Sequence, residues 1–514
     1  MEDKKVVEME SLELRQIVAK LIKEGLQLSP EAIEFLARIK EPDKIINNLI
    51  AGIRVMKPRP LILTLDVILK ILGEEEENEE EEIEENIDIV FDASNLIGAR
   101  GRIEDFVAYF MSRFNKIRQI FMKERYDIRG TRSIIDIKKY ARENEKVKLI
   151  VMIIGKKKIN DGKIILEVED PTGAIRVIVP QEKDLTDKVE KIVKDEVIYL
   201  EGKVTRDYII LSDISQPEVP RIDLNNKVYR RNGRVENDIY AVLISDLHIG
   251  SKYFMRSAFN RFVLWINGKL GRGKIRRIAK RVKYLIIAGD IVDGIGIYPN
   301  QEEELLIKDI KKQYEVAAKY LSQISVRKRI IIIPGNHDAT RQALPSPAIF
   351  KEYAKPLYEL PNITILGDPA YIKLHNVLFL VTHGRSLDDI LSSIPGTHYD
   401  NPAEAMVELL KRRHLAPIYG GKTQIAPEPE DYLVIDKVPE VFHAGHVHTF
   451  GYLRYRGVLI VNSGTWQRQT GYMKAMGIKP NPGKAVVVSL SRRKVEMVLD
   501  FATEELVESL ELGG

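Results

Sequence analysis

Four short apolar runs in the second half of this chain each stop at a turn carrying Asp, Asn or His, and that pattern restricts the fold. Ile239 to Ile244 runs into Asp246-Leu247-His248, and Tyr284 to Ala288 into Gly289-Asp290-Ile291-Val292-Asp293. Ile330 to Ile333 leads to Pro334-Gly335-Asn336-His337-Asp338, and Val377 to Val381 leads to His383. A fifth polar cluster, Gly445-His446-Val447-His448, follows. Short runs rich in β-branched residues read as strands buried on both faces. Sites in open α/β sheets gather beyond the carboxyl ends of the strands. Clusters far apart in sequence can therefore converge on one rim. Gly289, Gly335 and Gly445 allow the tight turns and close backbone approach that this needs.

The chain has nine histidines, and none precedes His248. A lone Asp-x-His or His-x-His is ordinarily a surface turn or a satisfied core histidine. Five clusters at strand ends describe a dispersed site for divalent metals such as Mn, Fe or Zn, which take His, Asp and Asn ligands. His375 and His398 read as surface residues, and His414 and His443 as structural or supporting ones. With no cysteine in the chain, a cysteine nucleophile, a disulfide and a thiolate metal site are all excluded.

The order Asp-x-His, Gly-Asp-x-x-Asp, Gly-Asn-His-Asp, His, Gly-His-x-His resembles that of the calcineurin-like metallophosphoesterases. The resemblance implies one metal on Asp246, His248, Asp290 and His448. It implies a second on Asp290, Asn336, His383 and His446, with Asp290 bridging. It makes His337 the catalytic histidine, facing the leaving oxygen. Asp338 would orient His337 through its free ring nitrogen, and Asp293 would support the ligands from behind. Gly294 stands where the protein phosphatases of this superfamily carry a phosphate-gripping Arg, which argues against that branch. More than two hundred residues precede Asp246, unlike the recombination nucleases of the Mre type.

Longer strings narrow the resemblance. Pro334 to Arg341 followed by Pro345-Ser346-Pro347, His383 to Asp389, Arg412 to Gly420, and Asn462 to Gln467 are similar to the archaeal family-D DNA polymerase small subunits, over roughly residues 88 to 500. That resemblance implies a metal-dependent 3′→5′ exonuclease, part of a DNA-directed DNA polymerase and paired with a large polymerase subunit. Its cofactor would be two divalent ions, manganese first, with iron, zinc or nickel as alternatives. Arg341, Arg385, Arg412 and Arg413 lie in these strings and are candidates for substrate or partner contact.

The rest of the chain suits an assembly. At 514 residues it is too long for one core. Residues 1–72 read as a small helical module: Ser11 caps a helix carrying Leu14, Ile17, Val18 and Leu21, and Ser29-Pro30 starts another. Residues 73–87 form an acidic linker, with ten glutamates between Glu74 and Glu85; such a block self-repels and stays solvated. Residues 88–145 give a strand and a long helix, Ile103 to Tyr126. Phe106, Val107, Phe110, Phe114, Ile117, Ile120 and Phe121 form its apolar stripe, and Arg113, Lys116 and Arg118 its polar side. Residues 146–217 read as an OB-fold of five strands with a helix at Leu185 to Val193. Aromatics are sparse there, so protein contact is favoured over base stacking. Residues 218–500 form the metallophosphoesterase domain, and 501–514 a tail.

Net charge is only +4. It is uneven, because Lys269 to Lys283 carries eight basic residues, suited to a solvated helix face or to a phosphate backbone. The sequence has no run long and apolar enough for a membrane span and no signal-peptide core at its start, so a cytoplasmic location is expected. The fold class expected is therefore multidomain α/β: a helical module, an OB-fold, and a two-sheet calcineurin-like domain. The function expected is the proofreading exonuclease subunit of a replicative DNA polymerase, acting on DNA. The alternatives are a small-molecule phosphoesterase and a non-catalytic scaffold.

Overall fold

In each of the central strands, neighbouring side chains point to opposite faces, and here both faces are buried. Tyr240, Val242 and Ile244 enter one core while Ala241 and Leu243 enter another. Leu285 and Ile287 alternate in the same way with Tyr284, Ile286 and Ala288, as do Ile330 and Ile332 with Ile331 and Ile333. A continuous apolar run is what such a position requires.

The computed structural model describes residues 18–23, 25–37, 49–54, 56, 60–72, 83–159, 162–223, 238–503 and 507–508. Two mixed sheets make up the larger half. The first holds seven strands in the spatial order Ile363–Ile365, Arg329–Ile333, Val282–Ala288, Tyr240–Ile244, Lys484–Ser489, Lys494–Asp500 and Val507–Glu508. Its first four strands are parallel to one another. The second holds six, in the order Phe450–Tyr455, Val458–Ser463, Val441–Ala444, Val377–Val381, Ala370–Leu374 and Ile87–Asp92. Leu243, Ile286 and Ile333 from the first sheet share a core with Phe379, Val381, Val441 and Val461 from the second. Helices Arg256–Ile266 and Ile310–Leu321 cover the outer face of the first sheet. Helices Leu387–Ser393 and Pro402–Arg412 cover that of the second. The result is four layers, helix, sheet, sheet, helix, with all the parallel strands pointing their carboxyl ends to one rim.

Strand Ile87–Asp92 pairs antiparallel with Ala370–Leu374 and completes the second sheet. Sequence reading set it apart with the long helix, because a pairing across almost three hundred residues leaves no local trace.

Residues 146–215 close into a five-stranded barrel, in the order Lys146–Lys158, Ile164–Asp170, Gly173–Val179, Tyr208–Ser215 and Val197–Val204. Helix Lys183–Glu190 lies between its third and fourth strands in sequence and puts Leu185 and Val189 into the barrel core. In the N-terminal segment, Ser29 Oγ accepts from Ala32 N at 3.1 Å and starts helix Pro30–Ala37. A two-residue parallel ladder, Gln27–Leu28 with Ile62–Leu63, was not foreseen. Residues 11–17, where the helix expected from Ser11 begins, and most of the acidic block lie outside the described residues, while residues 18–23 of that helix are helical as expected.

The long helix, Ile103–Glu124, joins the barrel to the sheets. Phe114, Ile117, Ile120 and Phe121 are buried as expected, but Val107 is exposed, and Arg113, placed on the polar side by sequence, is fully buried. Arg113 is tolerated because every nitrogen of its guanidinium has a partner. Nε donates to Asp431 Oδ2 at 2.8 Å, Nη1 to Asp195 O and Pro417 O, and Nη2 to the Tyr109 hydroxyl. His414 donates from Nε2 to the same Asp431 oxygen at 2.8 Å, while its Nδ1 accepts from Ala416 N at 3.0 Å. Both ring nitrogens are thus satisfied by the neutral imidazole. Burial and the Arg113 charge push His414 down from 6.5 to about 4. The unfolded chain takes up this proton near pH 6.5 and the native state only near pH 4. The stability that depends on the neutral ring is therefore full above pH 6.5 and is lost as pH falls toward 4, by roughly 3 kcal/mol in all. Urea unfolding of His414→Gln between pH 7 and pH 4.5 should show a flatter decline than the unchanged protein. Parallel declines would remove His414 as the titrating group.

Candidate metal centre

The turn after each strand uses backbone conformations that side chains rarely adopt. Asp246, His248, Asp290, His446 and His448 all have positive φ, between 50° and 73°. Five strained residues in one place are typical of a functional site, where packing over-determines the backbone. Three glycines make room for them. A Cβ on Gly335 would lie 2.0 Å from Asp290 Oδ1, one on Gly289 2.5 Å from His383 Nδ1, and one on Gly445 2.3 Å from Asp246 Oδ2.

These turns bring Asp246, His248, Asp290, Asn336, His383, His446 and His448 together. Asp290 sits at the centre. Its Oδ2 is 3.3 Å from His383 Nε2 and 3.7 Å from His248 Nε2, and its Oδ1 accepts from His337 N at 2.8 Å. Asn336 Oδ1 lies 3.0 Å from His383 Nε2 and 3.1 Å from His446 Nδ1. His248 Nε2 and His448 Nε2 face each other at 3.0 Å, and His448 Nε2 is 3.3 Å from Asp246 Oδ1. Three overlapping groups could each hold a cation: Asp246, His248 and His448; Asp246, Asp290 and His383; and His248, Asp293 and His337.

The hydrogen bonds behind the rings show which atoms are free to ligate. His248 Nδ1 is bound to Asp293 Oδ1 at 2.9 Å, and His383 Nδ1 to Ala288 O at 2.8 Å. A carbonyl can only accept, so His383 carries its proton on Nδ1, and the neutral ring turns a lone pair toward Asp290 and Asn336. Acceptors then face acceptors, an arrangement that a cation resolves. Asp246 Oδ1 is likewise buried without a hydrogen bond. In the protein alone, the carboxylates compensate by holding protons on the rings. Burial would lower His248 and His383, but the neighbouring carboxylates push them up to about 10 and about 9. Asp290, despite its burial, is held well below the usual carboxylate range by the histidines around it.

His337 stands beside this cluster. Its Nδ1 donates to Asp293 O at 2.7 Å, and its Nε2 faces Asp290 Oδ2 at 3.9 Å. Asp338 does not orient it, contrary to the sequence reading. Asp338 accepts from the backbone N–H groups of Gly335 and Ile291 and from the Tyr314 hydroxyl, and so ties two ligand turns together. Local sequence order placed Asp338 next to His337, but its side chain points the opposite way.

The cleft in front of the cluster has a volume of about 400 Å³. His248, Asp290, Asn336, His337, His446 and His448 form one wall. Tyr298, Tyr399, Tyr472, Met473 and Met476 form another, with Tyr298 and Tyr472 stacked at 5.5 Å. Sequence reading missed Asp388, which holds His446 Nε2 at 3.2 Å, and Gln467, which donates to Asp293 Oδ1 at 3.0 Å. Both lie inside the polymerase-like strings, but a carboxylate or amide behind a ligand has no spacing rule of its own.

Three of the four candidate arginines turn away from the cleft. Arg412 is bound to Glu196, Glu408 and Lys191 O, and Arg413 to Glu124, Ile435 O and Asp436 O. These two fasten the barrel segment and the long helix to the sheets. Arg341 is spent on Glu428, Ala343 O and Pro345 O. None of the basic residues from Lys269 to Lys283 lines the cleft. His443 donates or accepts at Ser463 Oγ and is buried, and His398 is exposed as expected, whereas His375 is partly buried.

Fold and site thus define a four-layer α/β protein with a preorganised cluster of Asp, Asn and His side chains at the strand rim that could hold a cation. Residues 241–451 match the family of DNA polymerase alpha/epsilon B subunits. The DNA polymerase II small subunit of Methanothermobacter thermautotrophicus is 39% identical over 501 residues, covering 95% of this chain and 100% of that protein. That of Pyrococcus furiosus is 43% identical over 437 residues, covering 82% and 69%, and that of Archaeoglobus fulgidus 41% over 415, covering 80% and 81%. The chain belongs to the family of archaeal DNA polymerase II, or family-D, small subunits. Zinc-bound Vps29 from Entamoeba histolytica covers 52% of this chain and 96% of its own, at 12% identity and a TM-score of 0.26, too low to bear on the fold.

Proposed function

We propose that the chain is the metal-dependent 3′→5′ exonuclease subunit of an archaeal replicative DNA polymerase, with a calcineurin-like phosphoesterase domain and an OB-fold barrel. The observation that carries the hydrolytic part is the convergence of seven Asp, His and Asn side chains whose free lone pairs face one another in a cleft. The direction of excision, the DNA substrate and the pairing with a large polymerase subunit rest on the family. The division into a helical module, a linker, a barrel at 146–217 and a phosphoesterase domain belongs to the same reading, as does a cytoplasmic location. Among the described residues no helix is long and apolar enough to cross a membrane.

Asp246, His248, Asp290 and His448 would hold one ion, and Asp290, Asn336, His383 and His446 the other. Manganese is the first candidate on the family resemblance, with iron, zinc or nickel as alternatives, since the oxygen donors suit the first and the imidazoles the others. Two such ions, when bound, supply Lewis-acid stabilisation of a phosphoryl centre and a nucleophilic water near neutral pH. The chain's own contribution is positioning. Asp293 fixes His248 through its carboxylate and His337 through its carbonyl. Asp388 does the same for His446, and Tyr399 in turn holds Asp388 at 2.8 Å. His337 presents Nε2 to the cleft, where it can meet the leaving oxygen.

Three measurements test this reading. The isolated chain should release nucleotides from a 3′-labelled oligonucleotide with Mn, and a chelator should stop it. His337→Ala should keep its metal yet lose about 100- to 10,000-fold in rate, the range of general acid–base help. Plasma emission spectrometry of that variant decides the role, since loss of metal would make His337 a ligand. Activity on nitrophenyl phosphates with none on DNA would favour a small-molecule phosphoesterase.

A further inference from the structure

Arg385 is the one candidate arginine that remains at the site, and its bonding is unusual. It is 6% exposed, yet Nε and Nη2 have no hydrogen-bond partner. Its one hydrogen bond among the described residues runs from Nη1 to Gln342 O. Burial lowers its pKa, and the carboxylates of Asp368, Asp290 and Asp338 act against that. A guanidinium that has lost its water and gained one bond in return is costly unless a partner arrives.

Arg385 lines a second cavity, of about 180 Å³, together with Asn336, Gln342, Lys422, Thr423 and His446. Thr423 Oγ1 is also buried without a partner. Asp388, which borders both cavities, is already used by His446 and Tyr399. Asn336, Asp388, Lys422 and His446 are common to both cavities, so the second opens directly off the proposed metal centre. A guanidinium with unused donors, a hydroxyl and an ammonium among the residues that line a space of this size suit a tetrahedral oxyanion. The planar fork of Arg suits two oxygens of one phosphate.

Position decides which phosphate. The scissile group must lie at the ligand cluster, and the aromatic wall of Tyr298 and Tyr472 flanks the cluster within the main cleft. The Arg385 cavity opens off the part of the cluster that carries Asn336 and His446, and neither Tyr298 nor Tyr472 lines it. A strand with its scissile phosphate at the cluster and a nucleoside against the tyrosines would extend its next linkage toward Arg385. We infer that Arg385, with Lys422 and Thr423, forms a subsite for the backbone phosphate adjacent to the one being cleaved. The subsite makes the enzyme read a polynucleotide rather than an isolated phosphodiester. This inference rests on the nuclease reading above.

The test replaces the charge on the substrate as well as on the protein. Wild-type chain with Mn is given short oligonucleotides in which the linkage next to the scissile one is either a phosphodiester or an uncharged methylphosphonate. The same pair is given to Arg385→Met and Arg385→Lys, with thermal melting to check that each variant folds. Charge-assisted hydrogen bonds of this kind correspond to about 10- to 100-fold in kcat/KM. The expected result is that wild type loses about that factor on the methylphosphonate, carried mainly by KM. Arg385→Met should show the same low rate on both substrates, and Arg385→Lys should recover part of the difference. Equal rates of wild type on the two substrates would overturn the subsite and leave the nuclease reading intact. So would a variant whose loss multiplies with that of the methylphosphonate. A wild-type chain that hydrolyses neither oligonucleotide would overturn both readings. Should Arg385→Met fail to fold, the wild-type comparison alone still decides.

Discussion

Asp290→Ala is expected to abolish hydrolysis and to lower bound metal further than Asn336→Ala does. Asp290 is 1% exposed, and its two oxygens make four contacts with three histidines. Oδ1 accepts from His337 N, and Oδ2 lies within 4 Å of the Nε2 atoms of His383, His248 and His337. In the proposed assignment Asp290 alone is shared between the two ions. Removing it would then take a carboxylate from both coordination shells and would free the backbone of His337. Asn336→Ala takes one neutral oxygen from one shell. Metal content per chain and turnover of a 3′-labelled oligonucleotide should therefore separate the two variants in the same order. Folding should survive, because no hydrophobic core of the barrel includes this residue, and strained site residues contribute little stability. Equal metal occupancy in the two variants would mean that Asp290 does not bridge.

That ordering could be foreseen from sequence because the ligands sit where chain chemistry changes abruptly. An apolar run such as Leu285 to Ala288 has one role, and Gly289-Asp290 directly after it has another. Strand ends are therefore visible one by one, and the topology rule for open sheets brings them together. The seven predicted ligands do meet at one rim. What the sequence hid is of two kinds. Pairings across long separations leave no trace, as between Ile87–Asp92 and Ala370–Leu374. Side-chain direction was also hidden. Arg412 and Arg413 read as candidates for substrate or partner contact, yet fixed charges with many donors can be buried where carboxylates and carbonyls answer them, and here those partners come from the barrel segment and the long helix. Asp338 shows the same effect at short range, adjacent to His337 in sequence and bonded to other turns in space. Arg113 shows it in a helix, where one position in an apparently polar row carries a buried guanidinium with a partner at every nitrogen.

The separation of these two sets of residues gives the other large effect. Asp246→Ala combined with His448→Ala removes two proposed ligands of one ion, and neither residue belongs to an apolar core cluster. Asp246 Oδ1 makes no hydrogen bond in the fold, and His448 Nδ1 makes none either. The double variant should lose excision of mismatched 3′ ends. It should keep its melting temperature within a few degrees, since a cluster of like ligands held at positive φ stores strain rather than stability. Subunit interfaces in general rest on buried apolar area with a polar rim rather than on a cluster of metal ligands. The barrel, fastened to the sheets through Arg113, Arg412 and Arg413, is untouched by either substitution. Co-purification with the large polymerase subunit and extension from matched primers should therefore persist. Primer extension from matched and mismatched termini, after co-purification, reads both outcomes in one preparation. A folded double variant that no longer co-purifies would place the ligand rim inside the subunit interface, and excision and assembly would then share one surface.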